Sequence, residues 1–497
     1  MPSLEVGFEF PGSTRLSFDQ RCSNPTTHPC DLAKVTPPVR SGSYHGVMKR
    51  CLLLILLLIL APSWVCGRAL LLISIDGLRP DYVLQADAHN LKIPHLRSLL
   101  REGAYASGVR GVLPTVTYPS HTTIMTGVWP AKHGIYSNHT FDPLGVNFEG
   151  WYWYSEDIAV PTLWEAAAKA GLTVGSVSWP VSVGAKGIRY NVPEYWRAPK
   201  SADDLKLLRA VSTPGLVAEI AQEAGPYNVD QDDAIPGDWA RTRYAAWILR
   251  HGKPQLMTVH LAALDHLEHA TGPFSPESND TLEQIDAMLG QLEEAARTAL
   301  PDYAVCIVSD HGFSRIDHGL NLIRAFADEG LVTLGQGSGF RGAPVVSDWK
   351  ASPMVDGGSA AILLKDPKDE ATRVKVEQLL RRLAADPANG IARILDRTAI
   401  AAMGGNPGAA FWVDMQANFS AVNGAGALVI AREGGTHGYL PSHPEMLASF
   451  FMVGPAVGKG LTLGEIDMRS IAPTMAAYLG FPFPSADLKP LALAGAR

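Results

Sequence analysis

Cysteine is nearly missing from this chain. Its 497 residues hold five, and four of these (Cys22, Cys30, Cys51 and Cys66) lie in the first 66 positions. A mature chain starting after that stretch keeps only Cys306, which excludes a disulfide framework. Cys306 sits in the apolar run Tyr303 to Ser309 and is expected to be a small buried hydrophobe. Basic charge is also short. Lys and Arg number 42 against 49 Asp and Glu, a net charge of −7, and no basic stripe interrupts it. The electrostatic footprint of a nucleic-acid binder is therefore absent. The apolar run Cys51 to Ala61 falls short of the roughly 20 residues that a membrane span takes. There is no internal repeat and no Gly-x-Ser-x-Gly elbow of a serine hydrolase.

That short apolar run has a role of another kind. Met48-Lys49-Arg50 precedes it and Val65-Cys66-Gly67 closes it. A basic start, an apolar middle and a short polar end make a secretory signal over 48–67. Residues 1–47, rich in Pro, Ser and Arg, are read as an over-extended or disordered N-terminus. The mature chain is expected to be exported to a bacterial periplasm or exterior, with no stable membrane span.

From Ala69 onward, apolar strands alternate with helical patterns. Ala69–Ile75, Thr173–Ser178, Gln255–Leu261, Tyr303–Ser309 and Ser449–Val453 read as strands. Helices are expected near 93–102, over 162–170 with Thr162 as cap, and over 239–250, 280–300 and 468–479. This order predicts an α/β fold, a doubly wound and mostly parallel sheet with helices on both faces. Residues 68–315 and 431–497 are assigned to that core. Residues 316–430, where the signals turn irregular, are assigned to a smaller inserted α/β cap.

The chemistry gathers at strand exits. Asp76 follows the first strand, Asp265 and His269 follow the third at helical spacing, and Asp310-His311 follow the fourth. His437 lies in a Gly-flanked turn. Carboxylates and imidazoles are ligands that Zn²⁺ takes, and six of them can hold two ions while leaving open positions. Thr117, in the stretch Leu113 to Asn138, precedes Pro119, which is read as the first helical residue. A hydroxyl there faces a helix N-terminus, which favours anions, and it can act as a nucleophile if a metal or base activates it.

The segments ISIDGLRPDYV, LPTVTYPSHTTIMTGVWPAKHGIYSN, LDHLEHATGP, VSDHGF and GGTHGYLP, in this order, resemble the nucleotide pyrophosphatase/phosphodiesterase family of the alkaline phosphatase superfamily. The resemblance implies an alkaline-phosphatase-like fold and two Zn²⁺. It implies that Asp265, His269 and His437 hold one ion and that Asp76, Asp310, His311 and the nucleophile Thr117 hold the other. Small phosphodiesters or nucleotides would be hydrolysed through a phosphothreonine. Asn138 and the Tyr118 N–H would bind the phosphoryl oxygens, and Tyr118 and Tyr195 would clamp a base. His121 and His133 are read as orienting residues rather than ligands. Five positions before Asp265, where the family often has Tyr, this chain has His260. The alternatives are a phosphomonoesterase, with Lys186 and Arg189 as extra phosphate ligands, or a phosphonate hydrolase of the same superfamily. The lack of Cys-x-Pro-x-Arg or Ser-x-Pro-x-Arg at the nucleophile argues against a sulfatase.

Overall fold

The computed structural model describes residues 68–147, 150–196, 201–229, 231–338, 344–424 and 426–494. The expected signal and the stretch before it lie outside these residues. The centre is an eight-stranded sheet: β1 (Ala69–Ile75), β2 (Ala104–Tyr105), β3 (Val174–Val177), β4 (Tyr190–Val192), β5 (Leu256–Leu261), β6 (Tyr303–Val308), β7 (Phe450–Val453) and β8 (Leu461–Thr462). Their spatial order is β8-β2-β7-β6-β1-β5-β3-β4. β6, β1, β5, β3 and β4 run parallel, and β7 is antiparallel to both of its neighbours.

β1 shows why its sequence is apolar throughout. Leu71, Ile73 and Ile75 pack on one face with Tyr244, Ile248, Leu282 and Leu289. Leu70 and Leu72 pack on the other with Ile124, Met125 and Trp164. A strand covered on both faces cannot alternate polar with apolar. The helices are α1 (Thr117–Thr126), α2 (Ile235–Gly252), α3 (Ala263–Thr271) and α4 (Pro276–Ala299). α4 starts earlier than its pattern suggested, because Ser275 caps it and Pro276 enters at the first turn. Thr162 caps its helix through a reciprocal bond with Glu165, as expected. Cys306 is buried and free.

The expected insert has its own sheet, in the order Ala351–Val355, Ser359–Leu364, Ala409–Met415, Ile391–Asp396. The helix Glu370–Ala384 and a separate apolar cluster accompany it. The border drawn between 315 and 316 falls inside the strand Ser314–Asn321. That strand pairs with Gly435–Thr436 and with Asn418–Val422, so it joins the two parts. None of the described helices is long and apolar enough to cross a membrane.

Candidate active site

Parallel strands deliver their exits to one edge of the sheet, and five candidate ligands arrive there from three of them. Asp76 ends β1, Asp310 and His311 follow β6, and α3 carries Asp265 and His269 one turn apart just after β5. His437 comes from the far side of the insert, in the turn after Gly435–Thr436. Gly77 must be glycine: its φ is +74°, and a Cβ there would lie 2.9 Å from Glu268 Oε2. Gly438 also has positive φ, and its Cβ would lie 1.6 Å from the Asp356 carbonyl oxygen.

Two clusters of donor atoms result. Asp76, Asp310 and His311 form one, and Asp265, His311 and His437 form the other. His311 Nε2 lies 3.0 Å from Asp310 Oδ2 and 3.4 Å from Asp76 Oδ1. His437 Nε2 lies 3.5 Å from Asp265 Oδ1, and His269 Nε2 lies 3.4 Å from Asp265 Oδ2. His311 and His437 stack at 3.7 Å between ring centroids. The sequence assignment gave His269 to the second cluster. Here it touches that cluster through Asp265, and His311 stands between the two.

The donor set fits metal. One oxygen on each of Asp76, Asp265 and Asp310 is buried without a hydrogen-bond partner, which is costly unless something positive meets it. Burial and the Asp310 and Asp265 carboxylates push Asp76 well above the usual carboxylate range. Burial opposes charge on His311, but the Asp310 and Asp76 carboxylates outweigh it and push the ring up to about 10. Burial and the neighbouring imidazoles of His311 and His269 hold His437 well below its ordinary value, so it is neutral and able to ligate. The Nδ1–H groups of His269, His311 and His437 donate to the carbonyls of Gly435, Gly312 and Thr115 at 3.1–3.2 Å. That arrangement leaves Nε2 for a metal.

His121 and His133 are different. His121 uses both nitrogens, on the Thr117 carbonyl and on Ser74 Oγ, each at 2.8 Å. His133 meets Thr123 Oγ1 and accepts the Ile135 N–H. Both have their ring nitrogens engaged by the loop and helix around Thr117.

Thr117 is itself the first residue of α1, with Val116 as the cap. Pro119 therefore falls at the third helical position, two later than expected. Pro is tolerated there because the first N–H groups of a helix have no intrahelical acceptor. Thr117 Oγ1 is buried and lies 3.5 Å from His311 Nε2. The Tyr118 N–H is not free for a phosphoryl oxygen: it donates to Asn138 Oδ1 at 2.9 Å. An orphan helix-start N–H has recruited the Asn138 side chain, which leaves the Asn138 NH₂ as the donor on offer.

The aromatic residues also depart from expectation. Tyr118 is fully buried, and its hydroxyl donates to Glu194 Oε1 at 2.8 Å. Tyr195 is nearly so, packed on Trp153 at 5.2 Å. The half-buried rings of the same cluster are Trp151, Tyr152 and Trp196. Trp151, Trp153 and Trp196 escaped the sequence reading, although the run Trp151-Tyr152-Trp153-Tyr154 signalled an aromatic wall. Glu194 escaped it too. His260 was noticed only as a departure, yet its Nε2 meets Asp76 Oδ2 at 2.9 Å. Lys186 lines a hollow of about 440 Å³ with Glu156, Thr162 and Glu165. The Arg189 guanidinium lies 5.5 Å from the Tyr190 ring centroid. Neither makes a described contact with the ligand cluster.

Comparison with known proteins agrees with this geometry. The family model described as type I phosphodiesterase / nucleotide pyrophosphatase matches residues 70–439. An uncharacterized pyrophosphatase/phosphodiesterase of Schizosaccharomyces pombe is 29% identical over 253 residues, 49% of this chain and 44% of that protein. Human ectonucleotide pyrophosphatase/phosphodiesterase family member 5 is 25% identical over 258 residues, 49% of this chain and 45% of that protein. The match thus spans under half the length of these curated relatives. The solved structure of human ectonucleotide pyrophosphatase/phosphodiesterase 5 superposes with a TM-score of 0.57 at 20% identity, covering 85% of this chain and 96% of that one. An inactive form of the murine protein, solved in complex with AMP, gives 0.57 at 20% identity, covering 83% and 95%. These likenesses show the fold, an alkaline-phosphatase-like α/β sheet.

Proposed function

The chain belongs to the type I phosphodiesterase / nucleotide pyrophosphatase family, and from that membership we propose that it is a two-zinc hydrolase of small phosphoric diesters, nucleotides among them. The observation that carries this reading is the gathering of three orphan carboxylate oxygens with the oriented imidazoles, one of which, His311, has its Nε2 3.5 Å from the buried Thr117 hydroxyl. Asp265, His269 and His437 would hold one zinc ion, and Asp76, Asp310 and His311 with Thr117 the other. Zinc at these positions would lower the pKa of a bound hydroxyl or water and would shield phosphoryl charge.

Thr117 Oγ1, giving its proton to solvent, attacks phosphorus in line at the start of α1. The bond to the leaving alkoxide breaks, and a phosphothreonine remains that water hydrolyses from the opposite side. The Asn138 NH₂ donates to a phosphoryl oxygen, its other end fixed by the Tyr118 N–H. The half-buried Trp151 and Trp196 offer faces to a base, with Tyr118 and Tyr195 behind them. The murine neighbour solved with AMP supports a nucleotide substrate. Export belongs to the same proposal, and a relative named as an ectoenzyme supports it.

The experiment is a comparison of kcat/KM on bis-p-nitrophenyl phosphate, p-nitrophenyl phosphate and p-nitrophenyl thymidine monophosphate, with zinc present. Preference for the diesters, strongest for the nucleoside one, is expected. Preference for the monoester would overturn the reading.

A further inference from the structure

His260 stands where the family resemblance breaks, and the structure gives it two partners. Its Nε2 faces Asp76 Oδ2 at 2.9 Å; its Nδ1 faces Glu194 Oε2 at 2.9 Å and the Ser178 carbonyl at 3.1 Å. A carbonyl only accepts, so Nδ1 donates on its side, and the ring bridges the two acids through its two nitrogens. Glu194 spends its other oxygen on the Tyr118 hydroxyl at 2.8 Å. Asp76 is left with one oxygen fixed by His260 and the other, Oδ1, free of hydrogen bonds beside His311. The four side chains are all buried, where hydrogen bonds strengthen one another and an unmet partner is costly. Tyr118 follows the nucleophile directly and holds Asn138 through its backbone N–H.

We propose that His260 and Glu194 form a bridge that ties the aim of the Asp76 carboxylate to the seating of Tyr118. Metal affinity at the Asp76–Asp310–His311 group and the fit of substrate against the aromatic wall are then set together. His260, Glu194 and the Tyr118 hydroxyl are positioning groups, acting through Asp76 and Asn138. The proposal rests on the two-zinc reading above. It adds that two functions of the site share one node, Glu194.

The test uses the whole protein and reads zinc affinity directly, by competition with a chelating dye that resolves successive equivalents. His260→Gln is expected to weaken one zinc step by ~10- to 100-fold, the usual effect of removing an outer partner of a ligand. Tyr118→Phe removes only a hydroxyl that touches no ligand, yet it is expected to weaken the same step by about threefold or more. The double variant should bind zinc no worse than His260→Gln alone. Glu194→Gln, which keeps the shape, should fall between the two single variants and stands in if His260→Gln does not fold. Tyr118→Phe should also raise KM for p-nitrophenyl thymidine monophosphate more than for bis-p-nitrophenyl phosphate. Unchanged zinc binding in Tyr118→Phe, or losses that multiply in the double variant, would overturn the bridge. A protein with coupled zinc losses that hydrolyses none of the esters would refute the hydrolase reading and leave the bridge standing.

Discussion

The metal floor of the site hangs from regular structure, whereas the aromatic wall beside it does not. Asp76, Asp310 and His311 sit at the ends of β1 and β6, and α3 holds Asp265 and His269 one turn apart. Asp238 of α2 accepts the N–H groups of Ala262 and Ala263 at 2.9 Å and so fixes where α3 begins. The wall is assembled from loop residues: Trp151 and Trp153 before one helix, Tyr195 and Trp196 after β4. Its rings meet at 4.6–5.7 Å in tilted, stacked and edge-on pairs. A floor of this kind tolerates little displacement. A wall of rings can be repacked around different substrates, because ring contacts add affinity without fixing one geometry.

The largest break in that contrast is expected at the nucleophile. Thr117→Ala should cut kcat by at least about a thousandfold while zinc content stays unchanged. Full activity in that variant would remove Thr117 from its role. Next comes the ligand furthest along the chain. In His437→Gln, zinc and activity should be lost together, by more than the ~10- to 100-fold that outer partners are worth. Metal analysis after dialysis measures this, and unchanged zinc would exclude His437. The wall should yield less. Trp151→Ala is expected to weaken p-nitrophenyl thymidine monophosphate by about 1–3 kcal/mol of stacking and bis-p-nitrophenyl phosphate hardly at all. Equal losses on both esters would count against a base platform.

The smallest effect concerns the seam between core and insert. Asp356, from the turn of the inserted sheet, accepts the Ser137 hydroxyl, and its other oxygen is buried without a partner. Burial pushes this carboxyl up to about 7, although the Ser137 bond pulls the other way. The folded state therefore binds this proton more tightly than the unfolded chain. Stability from this group is full below pH ~4 and is lost as pH rises through about 7. Asp356→Asn should then raise the melting temperature more at pH 8 than at pH 4, with a ceiling of about 4 kcal/mol from a three-unit shift. An equal effect at both pH values would contradict the assignment.

The floor was legible in the sequence because each ligand sits beside a local signal. Ala69–Ile75 is unbroken apolar and ends in Asp-Gly, Tyr303–Ser309 ends in Asp-His-Gly, and Asp265 and His269 keep helical spacing. The wall was legible only as the local run Trp151 to Tyr154, whereas its closure by Tyr195 and Trp196 and the whole of the bridge join residues far apart in the chain. His260 and Asp76 are 184 positions apart, and Tyr118 and Glu194 are 76 apart. No periodicity encodes such pairs. The place of His311 between the two clusters has the same origin, since it depends on how the turn after Gly435 returns His437 to the end of β6. The helices Ser201–Val211 and Leu216–Ala224 were passed over as well. They cover one edge of the core but carry no ligand.

The register of β7 bears on how this chain comes off the ribosome. β6 pairs with β1 on one side and with Phe450–Val453 on the other. Residues 316–430 are synthesised between those two partners. Until β7 emerges, β6 presents an open row of N–H and C=O groups right beside Asp310 and His311, which invites pairing with another nascent chain. The inserted sheet has an apolar cluster of its own and is available to fold during that interval. A chain stalled anywhere from 316 to 449 thus keeps this edge open to aggregation, and the strand that closes it arrives soon after His437.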